Sequence, residues 1–196
     1  MKRFFDFTVS LLLIILLSPL FVIISIIIFI DAGSPVVFKQ YRVGKDNKLF
    51  FIYKFRTMRN NTRNTATANL KEADRQITKS GRFLRKTSLD ELPQLFNVLL
   101  GDMSFVGPRP LIPEEKEIRK LRKKYNVYSV RPGITGWAQV NGRDMLSNKE
   151  KALFDKEYID KQSVGFDIKI MFKTVAVVLK RENISEGGEP NNKRRI

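Results

Sequence analysis

The chain of 196 residues contains no cysteine and no histidine. The first absence excludes a disulfide framework, a thiolate nucleophile and zinc–thiolate sites. The second excludes Ser-His-Asp and Cys-His arrangements and imidazole zinc sites. An enzyme built from these residues must use carboxylates as nucleophile or base. Any metal it needs is a hard cation held through oxygen, with Mg²⁺ the foremost candidate. Acidic residues are scarce as well. Twenty Asp and Glu stand against 36 Lys and Arg, for a formal net charge of +16 and a pI of about 10.2. So basic a surface attracts phosphate, whether in nucleic acid, anionic lipid or a phosphorylated small molecule.

What is present begins with one long apolar run. From Phe7 to Ile30 nearly every residue is Leu, Ile, Val or Phe. As a helix this run measures about 36 Å, enough to cross a hydrocarbon core of about 30 Å. Positive residues lie on both sides: Lys2 and Arg3 before it, then Lys39, Arg42, Lys45 and Lys48 after it. A spanning helix keeps its positive flank in the cytoplasm, and here both flanks make that claim. Ser18 and Pro19 interrupt the middle, where Pro19 removes a backbone donor and crowds the preceding turn. Two topologies fit. One is a re-entrant segment that bends at Ser18-Pro19 and leaves on the side it entered, each half about 17 Å long. The other is a transmembrane helix with a proline kink, which membranes tolerate. The re-entrant form accounts for both flanks. A cleaved signal peptide fits less well, because the run exceeds the usual apolar region of about 7–15 residues and no small-residue cleavage site follows.

The remaining residues, roughly 165, suit one compact domain. Val36–Tyr41 and Leu49–Phe55 read as two strands joined by a turn through residues 42–48. Residues 59–80 are polar and read as a mobile loop with a short helix near Leu70–Ile77. Helices are expected over Leu89–Leu100, from Glu114 to about Tyr125, and from Asn148 to about Lys161. A Gly/Pro-rich loop covers 101–113, and residues 130–143 hold turns and short strands. Over Phe166–Lys180, helical spacing gathers Lys169, Lys173 and Lys180 in one stripe beside a broad apolar face. That pattern fits either a helix lying in a membrane interface or a core helix with exposed lysines.

The block from Ser88 to Leu100 carries adjacent acids, Asp90 and Glu91, beside a helix-start signal. Ser88 and Glu91 have capping-box spacing, and two acids in a first turn complement the helix dipole. Pro93 leaves the register open between Ser88 and Asp90 as N-cap. The functional alternative uses the same place. The positive end of a helix lowers a carboxylate pKa and attracts phosphate, and an Asp there can attack phosphorus. A divalent cation would screen the two acids from an anionic substrate. Downstream, Arg109 stands between Pro108 and Pro110 on a stiff backbone, suited to bidentate contact with phosphate oxygens.

Four blocks then occur in order: Lys54-Phe-Arg-Thr-Met58, Ser88-Leu-Asp-Glu-Leu-Pro-Gln-Leu-Phe-Asn97, Gly101-Asp-Met-Ser-Phe-Val-Gly-Pro-Arg-Pro-Leu111 and Arg131-Pro-Gly-Ile-Thr-Gly-Trp-Ala-Gln-Val-Asn-Gly-Arg143. With them the chain closely resembles the bacterial sugar transferases, the monotopic phosphoglycosyl transferases, and in particular their small members. The likeness runs from the Ser18-Pro19 break to about Leu179 and is weakest over residues 59–80. It implies transfer of a sugar 1-phosphate from a UDP-sugar to polyprenol (undecaprenyl) phosphate with release of UMP, the step that starts bacterial glycan assembly. It implies that Asp90 is the covalent nucleophile and the Mg²⁺ ligand, that Glu91 is its dyad partner, and that Arg109 contacts phosphate. It also implies a re-entrant helix broken at Ser18-Pro19. Lys54, Arg56, Arg85 and Arg143 are further candidates for phosphate or uridine contacts.

The expected fold class is therefore α+β and mostly helical. A re-entrant membrane helix (residues 1–33) precedes a catalytic domain (34–185) with a small β-hairpin and interfacial amphipathic helices, followed by a disordered tail (186–196). Larger members of the resembled family carry extra N-terminal transmembrane segments, so this chain looks like the catalytic unit alone. It is expected on the cytosolic face of the bacterial inner membrane, with downstream glycosyltransferases as possible partners and no nucleic acid. The rival readings are a membrane-tethered nucleic-acid-binding protein, a non-catalytic scaffold, and a UDP-sugar enzyme that releases UDP. The choice of sugar, the glycan pathway and the role of Glu91 stay open.

Overall fold

Helix α1 runs from Lys2 to Leu16 and α2 from Ser18 to Ala32, and the two meet at 62°. The computed structural model describes residues 2–59, 76–142 and 145–180. Most of the expected short helix near Leu70–Ile77, Arg143 and the tail from 186 to 196 lie outside these residues. The break falls at Leu17, directly before Ser18-Pro19. Pro19 sits in the first turn of α2, where a missing N–H costs that helix nothing, but it cannot continue the ladder of α1. Ser18 Oγ donates back to the Ile15 carbonyl at 2.8 Å, occupying an acceptor that the break sets free.

Both ends of the bent pair are fastened to the same body. Lys2 and Arg3 lie inside α1 rather than ahead of it. The Lys2 ammonium pairs with the Asp167 carboxylate and donates to the Val106 carbonyl. Arg3 donates to the Val98 and Leu99 carbonyls. Asp6 is buried and accepts from Ser104 Oγ and the Phe105 amide. At the other end, Asp31 accepts from the Ser80 amide at 2.8 Å and from Ser80 Oγ at 2.6 Å. Between the two ends the helices expose Leu12, Ile15, Leu16, Ile23, Ile27 and Ile30. Among the described residues no single helix is long and apolar enough to cross a membrane, but the bent pair qualifies by length and composition.

Strands β1 (Val37–Val43) and β2 (Leu49–Phe55) form an antiparallel hairpin in the register Val37↔Phe55 to Val43↔Leu49. Alternation puts Phe38, Gln40, Arg42, Phe50, Ile52 and Lys54 on one face. The outer edge of β2 is closed by Asn97, which accepts from the Tyr53 amide at 3.0 Å and donates to the Phe51 carbonyl at 2.6 Å. Helix α3 spans Lys79–Thr87. A 3₁₀ turn over Leu89–Glu91 follows, then α4 over Gln94–Leu100. The expected continuous helix from Leu89 to Leu100 is thus two pieces. Pro93 has no N–H to carry the helical ladder across, and α4 starts behind it.

Strand β3 (Ser104–Val106) pairs in parallel with β4 (Gly133–Thr135). Helices α5 (Lys116–Lys124), α6 (Trp137–Val140), α7 (Asn148–Asp160) and α8 (Val164–Lys180) complete the domain. A capping box does form, but at Ser147 and Glu150 on α7. One core gathers Val106, Trp137, Val140, Tyr158 and Ile170. A second joins Ile24 and Ile28 of α2 to Phe55 and Leu84, with Leu89 and Leu92 packed against it. Burying side chains of this size stabilises by about 1.5–3 kcal/mol each, so the second core holds the broken helix and the Asp90 turn as one unit. On α8, Val164, Ile168, Phe172 and Val175 are exposed along one face, while Lys169 and Lys173 lie 5.7 and 4.6 Å from the centre of the Trp137 ring.

Candidate active site

The acidic pair is aimed by the two leucines that flank it. Helix α3 ends at Ser88, which takes the left-handed conformation (φ 57°, ψ 17°) and turns the chain back on itself. Leu89 and Leu92, one 3₁₀ turn apart, face the second core. Asp90 and Glu91 therefore point the other way, toward β2 and the Pro108-Arg109-Pro110 segment. Glu91 Oε1 takes Lys54 Nζ at 2.7 Å and Arg109 Nη2 at 3.3 Å. The capping-box spacing of Ser88 and Glu91, one of the two registers left open, is not used. Ser88 offers no side-chain cap, and Glu91 is drawn to the two cations.

Lys54, Arg85 and Arg109 all act on Asp90. Burial raises its pKa above the ordinary carboxylate value and Glu91 adds to that rise, while Lys54, Arg85 and Arg109 pull it down. The expected lowering by a helix N-terminus is thus replaced by a net rise, because desolvation outweighs it. Lys54 is shifted in the complementary sense: burial lowers its pKa against the pull of Glu91. Arg85 sits in the last turn of α3 and donates from Nε to Thr57 Oγ1 at 2.8 Å, which ties it to the Lys54–Met58 block.

Arg56 goes elsewhere. It is buried, and its Nη2 donates to the Ala32 and Gly33 carbonyls at the end of α2. Alternation alone would keep Arg56 on the face of Lys54, two residues earlier, but β2 ends at Phe55 and the chain leaves the pleat before Arg56. A cation the sequence reading did not single out takes a place in the cluster. Arg42 shares the hairpin face of Lys54, feels the charges of Arg109 and Glu91, and has its pKa lowered to about 10 by burial. Its Nη1 donates to the Pro110 carbonyl at 3.2 Å and its Nη2 to Gln40 Oε1 at 2.7 Å. Register alone could have found it, because β1 and β2 pair Arg42 with Phe50, four residues before Lys54 on the same face.

The site therefore sets Lys54, Arg85, Arg109 and Arg42 around two carboxylates, an arrangement suited to an anionic substrate. Among the described residues no group of three or more Asp or Glu gathers as a metal cage. A small divalent cation that keeps waters and substrate phosphate oxygens needs only one or two carboxylates. Asp90 fits that use better than Glu91, which already answers two cations.

The match to known proteins is broad. The bacterial sugar transferase family matches residues 1–181. The chain is 42% identical over 186 residues to the sugar transferase EpsL of Bacillus subtilis (strain 168), covering 95% of this chain and 91% of that one. It is 43% identical over 182 residues to the UDP-glucose:undecaprenyl-phosphate glucose-1-phosphate transferase of Escherichia coli (strain K12), covering 89% of this chain and 39% of that protein. It is 40% identical over 197 residues to the undecaprenyl-phosphate galactose phosphotransferase of Salmonella typhimurium, covering 93% of this chain and 41% of that protein. The chain thus spans most of the first relative and about two fifths of the other two. A match over this length, with Asp90, Glu91, Lys54 and Arg109 drawn together, makes the chain a member of the bacterial sugar transferase family.

Proposed function

We propose that the protein transfers a sugar 1-phosphate from a UDP-sugar to polyprenol phosphate and releases UMP. The observation that carries this reading is the convergence of Lys54, Arg85 and Arg109 on Asp90. Names of the relatives in Escherichia coli and Salmonella support the reaction class.

A carboxylate oxygen of Asp90 attacks the β-phosphorus of the UDP-sugar. The bond from that phosphorus to the bridging oxygen breaks, and UMP leaves with the electron pair. Arg109, Lys54 and Arg85 stabilise the charge that develops on the phosphate oxygens. The sugar phosphate then stays bonded to Asp90. In the second half, a phosphate oxygen of the polyprenol phosphate attacks the same phosphorus, and the Asp90 carboxylate departs. Two half-reactions through one covalent intermediate give ping-pong kinetics. Glu91 holds Lys54 and Arg109 in place. Asp90 would hold Mg²⁺, which would supply charge neutralisation at the transferring phosphate.

The lipid acceptor requires this chemistry at a membrane surface. In this proposal α1 and α2 enter one leaflet and return, with the catalytic domain on the cytosolic face of the bacterial inner membrane. Support comes from the anchoring of both helix ends to one body. The exposed apolar face of α8 would lie in the same interface. An apolar groove of about 420 Å³ along α2, lined by Phe21, Val22, Ser25, Ile26, Phe29 and Val36, suits a polyprenyl chain. Phe21, which lines the groove, packs on Phe55 with ring centres 5.6 Å apart. In this scheme the step starts glycan assembly and hands its product to downstream glycosyltransferases.

The test is direct. Purified protein is incubated with a panel of UDP-sugars and Mg²⁺, without acceptor, and digested for mass spectrometry. The expected result is a phosphosugar on the Asp90 peptide together with UMP. Release of UDP, or kinetics that require both substrates bound at once, would overturn the reading.

A further inference from the structure

Arg109 is carried by a segment that belongs to no helix, yet its backbone is fixed at every carbonyl. The Pro108 carbonyl accepts from the Gly133 amide at 3.0 Å, and the Leu111 carbonyl from the Val43 amide at 2.8 Å. Between them, the Arg109 carbonyl accepts from Arg122 Nη1 at 2.7 Å and the Pro110 carbonyl from Arg42 Nη1 at 3.2 Å. The approach behind the segment is close. A Cβ on Gly133 would lie 2.1 Å from the Gly107 nitrogen, and one on Gly136 would lie 2.1 Å from the Gly107 oxygen.

Arg122 is the costly member of this set. It lies on α5, buried, and its Nε and Nη2 engage Asp155 Oδ2 of α7 at 2.8 and 2.6 Å. The Asp155 side chain is 1% exposed. Taking both charges out of water contributes little to stability compared with a well-packed apolar pair. What the pair does provide is direction. Asp155 neutralises one edge of the planar guanidinium and leaves Nη1 aimed at the Arg109 carbonyl.

We propose that Arg122, oriented by Asp155, is a positioning residue for Arg109. It holds the Arg109 backbone so that the side chain reaches Glu91 and the substrate phosphate. The inference rests on the reaction proposed above for its kinetic consequence, but not for its structural one. Arg122 acts through Arg109 and touches no reacting atom.

The test uses the full chain carrying Arg122→Met and Asp155→Leu together, which removes both charges and keeps apolar volume at both places. The expected outcome has three parts. The double variant melts close to the wild type. Its peptides covering residues 107–112 take up deuterium faster. Its kcat/KM for the UDP-sugar falls about 10- to 100-fold, as a displaced binding group would cause. Adding Arg109→Ala to the double variant then costs no more than Arg109→Ala alone, because both changes remove the same interaction. Unchanged uptake over 107–112, or losses that multiply, would overturn the proposal. If the wild type releases no UMP from any donor, the proposed reaction fails, and deuterium uptake still decides the clamp.

Discussion

Lys54 Nζ lies 2.7 Å from Glu91 Oε1, and the same oxygen meets Arg109 Nη2 at 3.3 Å. One carboxylate thus joins the hairpin to the Pro108–Pro110 segment across the mouth of the site. Glu91→Gln removes the charge and keeps the shape. The expected cost is about 2 kcal/mol of stability, because Lys54 is left poorly paired in a mostly buried place. The pKa of Lys54 falls further, and KM for the donor rises. Chemical denaturation and steady-state kinetics check these effects.

Asp90→Asn is expected to reduce UMP release by about 10⁴-fold or more and to abolish the covalent adduct. It also carries a stability signature. Burial raises the folded-state pKa of Asp90, so the folded chain holds a proton that the unfolded chain has released. The stability this provides is complete below the unfolded value and is lost as pH rises through the folded one. Asparagine cannot lose it. In EDTA, the gain of Asp90→Asn over wild type should therefore grow with pH across the raised pKa and then level off. A gain that shrinks with rising pH would reverse the sign of the argument. Thermal melts at a series of pH values decide it.

Added Mg²⁺ should raise the melting temperature of the wild type and leave Asp90→Asn unmoved, since ligand binding to the folded state stabilises by mass action. EDTA should stop UMP release, and Mg²⁺ should restore it. Calorimetric melts with and without metal read this independently of turnover.

Arg42 and Arg56 should separate cleanly. Arg42→Met takes one cation from the site and one donor from Pro110, with an expected rise of about tenfold in donor KM. Arg56→Met frees the carbonyls that end α2. It should cost about 2 kcal/mol of stability while leaving kcat/KM per folded molecule near the wild-type value. Parallel melting curves and kinetics distinguish the two.

Because the chain has no native cysteine, topology can be probed without background. A cysteine added ahead of Met1 and one at exposed position 39, on β1, should label from the same face of sealed vesicles. Labelling from opposite faces would exclude the re-entrant arrangement.

Contiguous patterns were legible in the chain. The break at Ser18-Pro19 follows from one missing donor in an apolar run. The hairpin follows from alternation, and the charge excess follows from a count. Asp90, Glu91 and Arg109 stand in blocks dense enough to single out. Long-range pairings left weaker marks. The parallel partnership of β3 and β4, three residues each, is too short for periodicity to register. Pro93 left the start of the helix after Ser88 open between two N-caps, and nothing local showed that it would split into a 3₁₀ turn and α4.

Residue types and local spacing by themselves determined that carboxylates, phosphate-seeking cations and a broken apolar helix would have to carry any function. Only the tertiary structure decided which cations meet Asp90 and which are used for holding the fold. Arg56 was drawn away to helix carbonyls, Arg42 was brought in across the hairpin, and Arg122 was buried against Asp155 behind Arg109. The physical reason is that a charge's role depends on the neighbours that remove its water, and those neighbours come from distant parts of the chain.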